Sequence, residues 1–167
     1  MVLTDAQIID LIKERKHLPE NFVELLRSYK IKAKHKEAQL NIVGENKSEF
    51  TIIIRQNTLN SFDFSVILGY KLPATKNKIF HLRRYNGRHP SPHTNKLEAR
   101  DSSNRRFVNT CHIHMATERY QRHHFKEEDY AEETDRYATV EGALRCMLTD
   151  CNFSSPKGGF LTGYVSK

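Results

Sequence analysis

Three extended segments in the first half of the chain restrict the fold more than any other feature. They run from Ala38 to Ile42, from Phe50 to Ile54 and from Phe62 to Leu68, and they are rich in β-branched and aromatic residues. Turn residues separate the segments, among them Gly44, Asn46, Asn57 and Asn60. Short apolar segments joined by such turns predict an antiparallel meander.

Two helices are expected before this meander. Thr4 and Gln7 have the spacing of a capping box, and apolar residues follow at helical intervals until about Lys16. Pro19 is suited to open a second helix, from about residue 20 to residue 28. The chain therefore begins with helices and continues with strands.

The clearest amphipathic helix lies near the end of the chain, between Thr139 and Asp150. Its apolar residues recur at helical spacing, namely Val140, Ala143, Leu144, Met147 and Leu148. Two more strands are predicted, Ile79 to Tyr85 and Phe107 to Met115, which gives an antiparallel sheet of about five strands. The C-terminal helix should pack on that sheet, so the predicted fold class is α+β. Residues 1–153 should form one domain, and residues 154–167 a tail or an edge strand.

Composition excludes several classes of protein. There is no apolar signal core and no run of about 20 apolar residues, so we expect a soluble, cytoplasmic protein without a membrane span. The three cysteines lack CxxC spacing, which argues against a disulfide framework and a cysteine zinc finger. No Gly-rich phosphate loop supports nucleotide hydrolysis.

Basic residues are concentrated in the middle of the chain. Residues 71–126 contain thirteen Lys and Arg against three acids, a net charge of +10, whereas the whole chain carries +7. A basic segment of this kind indicates a polyanionic partner, and nucleic acid is the prediction. The candidate contacts are Arg83, Arg88, Arg105, Arg106, Arg119, Arg122 and, for stacking on a base, Tyr85.

Acidic residues follow directly, between residues 127 and 135. Such a run can fold back over the basic segment or remain a solvated loop, and the solvated loop is the commoner outcome.

Histidines coincide with the basic segment, since seven of the nine lie between residues 81 and 124. Side chains alternate along a strand, so His112 and His114 should share one face while Cys111 and Ile113 occupy the other. His89 and His93 lie in a loop rich in Pro and Asn. Imidazoles beside guanidinium groups are suited to proton transfer on a phosphodiester or to metal binding.

A family resemblance adds to this interpretation. The strand that ends in Leu-Arg-Arg-Tyr-Asn-Gly, the loop with His89 and Pro-His93-Thr-Asn95, and the later Cys-His112-Ile-His114 resemble a group of small bacterial proteins. They also resemble the TumE-like toxins of toxin–antitoxin modules, over about residues 62–115. The resemblance implies a compact α+β endoribonuclease-like fold, related in style to RelE and colicin-type RNases, and a cognate antitoxin as partner.

Three functions remain open on these observations. In the first, a toxin or phage-defence protein cleaves RNA without a metal: His112 and His114 are the acid and base, His89 or His93 is the alternative member, and Arg84 stabilises the phosphorane. In the second, His89, His93, His112 and His114 bind zinc in a phosphoesterase or a structural site. In the third, a non-catalytic module, such as a counter-defence (anti-CRISPR-like) protein, binds nucleic acid or protein through its basic face.

Overall fold

The structure is a computed structural model that describes residues 1–73, 75, 78–98, 106, 107 and 109–155. Arg105 and residues 156–167 of the predicted tail or edge strand, which began at residue 154, lie outside the described residues. Within the described ranges, no helix has the length and apolar character that a membrane crossing requires.

Helices and strands alternate irregularly along the chain. The helices are α1 (Asp5–Lys13), α2 (Phe22–Arg27), α3 (Glu118–Arg122) and α4 (Val140–Asp150). The strands are β1 (Lys16–His17), β2 (Lys30–Lys32), β3 (His35–Val43), β4 (Glu49–Asn57), β5 (Phe64–Lys71), β6 (Ile79–Asn86), β7 (His93–Thr94), β8 (Arg106–Phe107), β9 (His112–Met115), β10 (Tyr130–Glu133) and β11 (Phe153–Ser154). The predicted α+β class is confirmed.

One antiparallel sheet of seven strands dominates the fold, in the order β10-β9-β6-β5-β4-β3-β2. The predicted meander corresponds to β3, β4 and β5, and β6 continues it. The sheet exceeds the five predicted strands because β2 and β10 add an edge on each side. The strand predicted from Phe107 to Met115 is interrupted, since β8 pairs with β7 in a separate small sheet and only β9 joins the large one.

The helices α1, α2 and α4 pack on one face of the sheet, called here the helix face. The predicted capping box of α1 is present, with Thr4 accepting from the backbone N–H of Gln7. Thr139 caps α4, and the five apolar residues predicted for that helix are all buried. They meet apolar side chains that alternate along the strands, among them Ile52, Ile54, Val66 and Leu68. The C-terminal helix therefore covers the sheet as predicted.

A β-bulge changes the alternation of side chains along β6. Leu68 pairs with Arg83 and Gly69 pairs with His81, so Leu82 is an extra residue between them. Beyond an extra residue of this kind the side chains change face. Arg83 consequently lies on the helix face, while His81 and Arg84, three residues apart, lie together on the opposite face.

A buried lysine joins the ends of two helices. Lys16 has no exposed surface, and its Nζ lies 4.4 Å from the centroid of the Phe50 ring. Burial lowers the pKa of Lys16 to about 8. The ammonium is within 3.0 Å of four carbonyl oxygens at the C-terminal ends of α1 and α4, those of Leu11, Ile12, Glu14 and Cys151. Cations are favoured at helix C-termini, where carbonyl groups have no partner within the helix.

Candidate functional site

Four of the predicted site residues come together on the face of the sheet opposite the helices, called here the histidine face. The rings of His112 and His114 in β9 are 4.9 Å apart between centroids. His93 packs edge-on against His114 at 4.5 Å and stacks on His112 at 5.6 Å. His89 meets the edge of His112 at 5.2 Å. We call these four residues the histidine cluster.

The small sheet of β7 and β8 holds the loop histidines in place. His93 is the residue of β7 that pairs with Phe107 of β8. The buried ring of Phe107 stacks on both His93 and His112, at 5.9 Å in each case. Gly87 starts the segment that leads from β6 to this sheet. A side chain there would collide with the carbonyl oxygen of Phe62 and the ring of Phe64, so only glycine fits.

The protonation of His112 and His114 follows from their hydrogen bonds. Nδ1 of His112 lies 2.9 Å from the carbonyl oxygen of Thr110, and Nδ1 of His114 lies 2.8 Å from that of Glu128. A carbonyl oxygen can only accept, so each Nδ1 carries the proton and each Nε2 presents a lone pair. The two Nε2 atoms both point to the side-chain amide of Asn86.

Asn86 joins the two imidazoles. Its Nδ2 is 3.4 Å from Nε2 of His112 and 3.3 Å from Nε2 of His114. Two lone pairs face this amide, so its donor Nδ2 must point to them, and Oδ1 accepts from the Ser65 hydroxyl at 2.9 Å. Nδ2 is therefore the group that faces the histidines, and it donates to both lone pairs.

Burial keeps both histidines neutral. Each is 2% exposed, and desolvation lowers the pKa of His112 to about 4, with nearby His89, His93 and Arg84 adding to the effect. The pKa of His114 is lowered further, by burial and then by Arg84. Both imidazoles are therefore neutral near pH 7, and their assignment as acid and base stays a prediction.

Arg84 is the cation of the site. Its Nη2 donates to Nε2 of His114 at 3.3 Å, and its Nη1 is 3.7 Å from the carboxylate of Glu128. Its side chain is 22% exposed, and its buried Nε has no hydrogen-bond partner among the described residues. Burial lowers the pKa of the guanidinium, although arginine stays charged in proteins. The charge is thus only partly compensated by the protein.

Half-buried His93 is the histidine that lies over this layer. Its Nε2 is 3.2 Å from Oδ1 of Asn95. The Asn95 side chain is fixed in turn, because it bonds both the N–H and the carbonyl of Ala131 in β10. Burial lowers the pKa of His93 as well, so its neutral form dominates near pH 7.

Two further residues of the site, His81 and Glu128, were not among the predicted ones. Glu128 is 3% exposed, and its carboxylate is 3.0 Å from Nδ1 of His81. The sequence showed that Glu128 belongs to an acidic run, but it did not show which residues Glu128 would contact. His81 was missed as a neighbour of Arg84 because regular alternation would place them on opposite faces.

The acidic run folds against the basic segment and is not a solvated loop. Its residues 130–133 form β10, which pairs with β9. Asp129 bonds Lys96 at 2.9 Å, and Glu127 accepts from the backbone N–H of His81. The less common of the two outcomes is thus the one observed.

The predicted nucleic-acid contacts are dispersed. Tyr85 and Arg83 lie on the helix face: the buried Tyr85 hydroxyl donates to Asp150 at 2.9 Å, so its ring cannot stack on a base, and Arg83 is 3.8 Å from the same carboxylate. Arg119 bonds Glu98 at 2.7 Å, and Arg122 bonds Glu118 at 2.7 Å, both in α3 or beside it.

Among the predicted contacts whose side chains the structure describes, Arg88 is exposed and directly precedes His89 in the chain. Arg106 belongs to β8, and its side chain is not described.

A metal ion fits the site only in part. Asn86 Nδ2, a donor, stands where the two Nε2 lone pairs meet. Throughout the described residues, no group of three or more His, Cys, Asp or Glu is arranged to hold a metal ion. Two neutral imidazoles whose Nδ1 protons are held by carbonyl groups are nevertheless in the form that binds zinc.

Comparisons with known protein families, with curated proteins and with solved structures gave no match to this chain.

Proposed function

We propose that this protein cleaves RNA at the histidine cluster without a metal ion, and that Arg84 binds the phosphate to be cleaved. The main support for this proposal is that, within the described residues, Arg84 on the histidine face has a single carboxylate nearby, at 3.7 Å, and one hydrogen bond, to His114. A partly buried cation with few partners is favoured by an anion that completes its surroundings. A planar guanidinium can grip two phosphate oxygens at once and stabilise the charge of a phosphorane.

His93 is the general base in this proposal. It is more accessible than His112 and His114, and its lowered pKa leaves it neutral near pH 7. His93 removes the proton of the ribose 2′-hydroxyl, and the oxygen attacks the adjacent phosphorus. The products are a 2′,3′-cyclic phosphate and a 5′-hydroxyl end. Because the nucleophile belongs to the substrate, the reaction requires RNA and does not proceed on DNA.

His112 and His114 have a supporting role in place of the predicted catalytic one. They form the layer on which His93 packs, and His114 accepts a hydrogen bond from Arg84. Neutral rings at these positions add no further positive charge beneath the guanidinium. His89 is a partly exposed member of the cluster, and His89 and the adjacent, exposed Arg88 are suited to contact a neighbouring phosphate.

The cellular role follows from the same chemistry. A basic protein that cuts RNA without a cofactor would arrest growth, as a toxin of a toxin–antitoxin pair or a phage-defence protein does. Its substrate would be cytoplasmic RNA, and a cognate antitoxin would cover the histidine cluster.

The test is cleavage of a labelled single-stranded RNA by the purified protein in the presence of a chelator. We expect cleavage products that end in a cyclic phosphate. His93→Ala should lower the rate by about 10²-fold or more, since a positioned base contributes that much. His35→Ala is the matched control, because His35 is exposed in β3, away from the cluster.

Two results would contradict the proposal. Cleavage that disappears with chelator would favour a metal mechanism. RNA binding that weakens with salt, without any cleavage, would favour the non-catalytic binding module.

A metal-dependent phosphoesterase is the second candidate. The observation in its favour is that Nε2 of His112 and Nε2 of His114 point to one amide group, where a cation would require Asn86 to withdraw. His89 and His93 are the remaining imidazoles that could complete the ligands, and zinc would then polarise the phosphate. Metal content of the purified protein, compared between the parent and His112→Ala, distinguishes this candidate from the first.

A further inference from the structure

A fifth histidine stands apart from the histidine cluster on the same face. His81 precedes the bulge of β6, which brings its side chain to the face of Arg84. Its side chain is 25% exposed, whereas His112 and His114 are buried. We infer that His81 is the general acid of the cleavage and that Glu128 positions it. The inference rests on the proposed function.

Glu128 holds the imidazole of His81 by one nitrogen. Burial alone would raise the pKa of the Glu128 carboxyl, but the hydrogen bond from His81 and the charge of Arg84 outweigh it, and the net pKa is lowered. The carboxylate is thus ionised, and it accepts the Nδ1–H of His81 at 3.0 Å.

The remaining nitrogen, Nε2, is directed away from this bond. With Nδ1 bound to the carboxylate, Nε2 is the ring atom that is left to face a substrate. Glu127 accepts from the backbone N–H of His81 at 3.2 Å and fixes the strand at this residue.

The position of Glu128 places His81 beside the phosphate site. The same carboxylate that binds His81 lies 3.7 Å from Nη1 of Arg84, and Nη2 of Arg84 contacts His114 on the other side. His93 packs on His114. An anion bound to Arg84 therefore has His93 towards one end of the guanidinium and His81 towards the other. In-line cleavage needs a base and an acid on opposite sides of the phosphorus.

The proton balance of the step is complete with these two residues. His93 takes the proton of the 2′-hydroxyl as the O2′–P bond forms. The P–O5′ bond breaks, its electron pair goes to O5′, and the Nε2 proton of His81 goes to the same oxygen. The enzyme ends with His93 protonated and His81 neutral, and one proton exchange with water restores both.

The leaving oxygen is the atom to change in the experiment, because a general acid is needed only when the leaving group is a poor one. One substrate is an ordinary oligoribonucleotide, and the other replaces O5′ at the cleaved linkage by sulfur, which leaves as a thiolate without protonation. His81→Ala should lower cleavage of the ordinary RNA by about 10²-fold or more. On the sulfur substrate the same variant should retain activity within about tenfold of the parent. His93→Ala should lose activity on both substrates.

Glu128 is tested as a positioning residue. Glu128→Gln keeps the shape of the side chain but removes its charge, so kcat on ordinary RNA should fall while KM stays near that of the parent, and the sulfur substrate should restore the rate. Glu132→Gln is the matched control, because Glu132 is exposed on the neighbouring strand β10. If Glu128→Gln does not fold, His81→Asn, which leaves Glu128 in place, still tests the proposed general acid with the two substrates.

The results separate this inference from the proposed function. Equal loss on both substrates in His81→Ala would make His81 structural and overturn the inference alone, as would parental activity of that variant. A parent protein that binds both substrates and cleaves neither would overturn the proposed function, and the inference with it.

Discussion

A buried cation and a partly buried cation of this protein have opposite surroundings. Lys16, on the helix face, is enclosed by four carbonyl oxygens and lies over the ring of Phe50. Arg84, on the histidine face, has a carboxylate at 3.7 Å, one hydrogen bond to His114 and an Nε without a partner in the described part of the chain. The ammonium N–H groups of Lys16 all have acceptors, whereas the guanidinium of Arg84 keeps one N–H without an acceptor among the residues described.

The difference distinguishes a structural cation from a cation with spare donors. A charge that is removed from water and has few partners lowers the stability of the fold. A protein that keeps a poorly paired arginine therefore does so at a cost to its stability. Such sites are expected where function requires the charge. The comparison therefore supports Arg84, and not Lys16, as the group that binds an anion.

The largest expected effect is that of Arg84→Met on RNA cleavage. We expect a loss of about 10²- to 10³-fold, because the variant lacks the donors that stabilise the phosphorane. The free energy of unfolding should change by less than about 1 kcal/mol, because the buried Glu128 carboxylate keeps its hydrogen bond to His81. Kinetics and urea unfolding measure the two quantities.

Arg83→Met is the matched control for that variant. Arg83 is the adjacent arginine of the same strand and also has an Nε without a partner among the described residues, but it lies on the helix face near Asp150. A similar loss of cleavage in both variants would show that the face of the sheet does not matter and would remove the basis of the comparison.

Lys16→Met should have the largest effect on stability. Methionine retains most of the apolar stem but leaves the carbonyl groups at the ends of α1 and α4 without their donor. We expect a loss of about 3 kcal/mol in the free energy of unfolding, measured with urea. Lys13→Met, at an exposed position of α1, should stay within about 0.5 kcal/mol of the parent. A neutral result at Lys16 would mean that its four carbonyl contacts do not stabilise the fold.

Acid should destabilise the folded protein, because the two buried histidines beside Arg84 are held in their neutral form. The pKa of His112 is about 4 in the folded protein and 6.5 in its ordinary state, so the unfolded chain binds the proton more tightly. Stability is therefore complete above pH 6.5 and decreases as the pH falls towards 4. At pH 5, protonation of His112 in the unfolded chain lowers the free energy of unfolding by about 2 kcal/mol relative to pH 7. His114 lowers it further, because its pKa is shifted in the same direction.

Urea unfolding between pH 7 and pH 4.5 measures this effect. His112→Gln should flatten the dependence, while His35→Gln should leave it as in the parent. A parent protein equally stable at pH 7 and pH 5 would mean that His112 is not held in its neutral form.

The smallest expected effect compares a paired with an exposed arginine. Arg88→Ala should weaken RNA binding by about fivefold at low salt, because a phosphate contact depends on an available charge. Arg122→Ala should change it by less than about twofold, since Glu118 already neutralises Arg122 across one turn of α3. Filter binding over a salt series measures both. Equal effects would show that the pairing in α3 does not exclude a helical arginine from the RNA.

Local patterns predicted much of the fold correctly. The capping box at Thr4 and the apolar stripe of α4 depend on neighbours within a few residues, and both are observed. Strand alternation also placed His112 and His114 on one face, because β9 has no bulge. These features need no information about distant parts of the chain.

The site was less accessible to prediction. Alternation failed at Leu82, where a single extra residue transfers Arg83 to the helix face and joins His81 to Arg84. The role of Glu128 depends on a strand pairing, of β10 with β9, that no local pattern indicated.

The sequence by itself determined the composition of the site and the fold class. It placed histidines and arginines in one segment and strands around them, because these properties follow from residue order and from periodicity. Only the tertiary structure decided the burial and the hydrogen-bond partners of each histidine. The imidazole of His112 is buried beside Asn86 and neutral. The imidazole of His81 is partly exposed and hydrogen-bonded to a carboxylate. Burial and the sign of the nearest charge set protonation, and both depend on residues that are remote in the sequence.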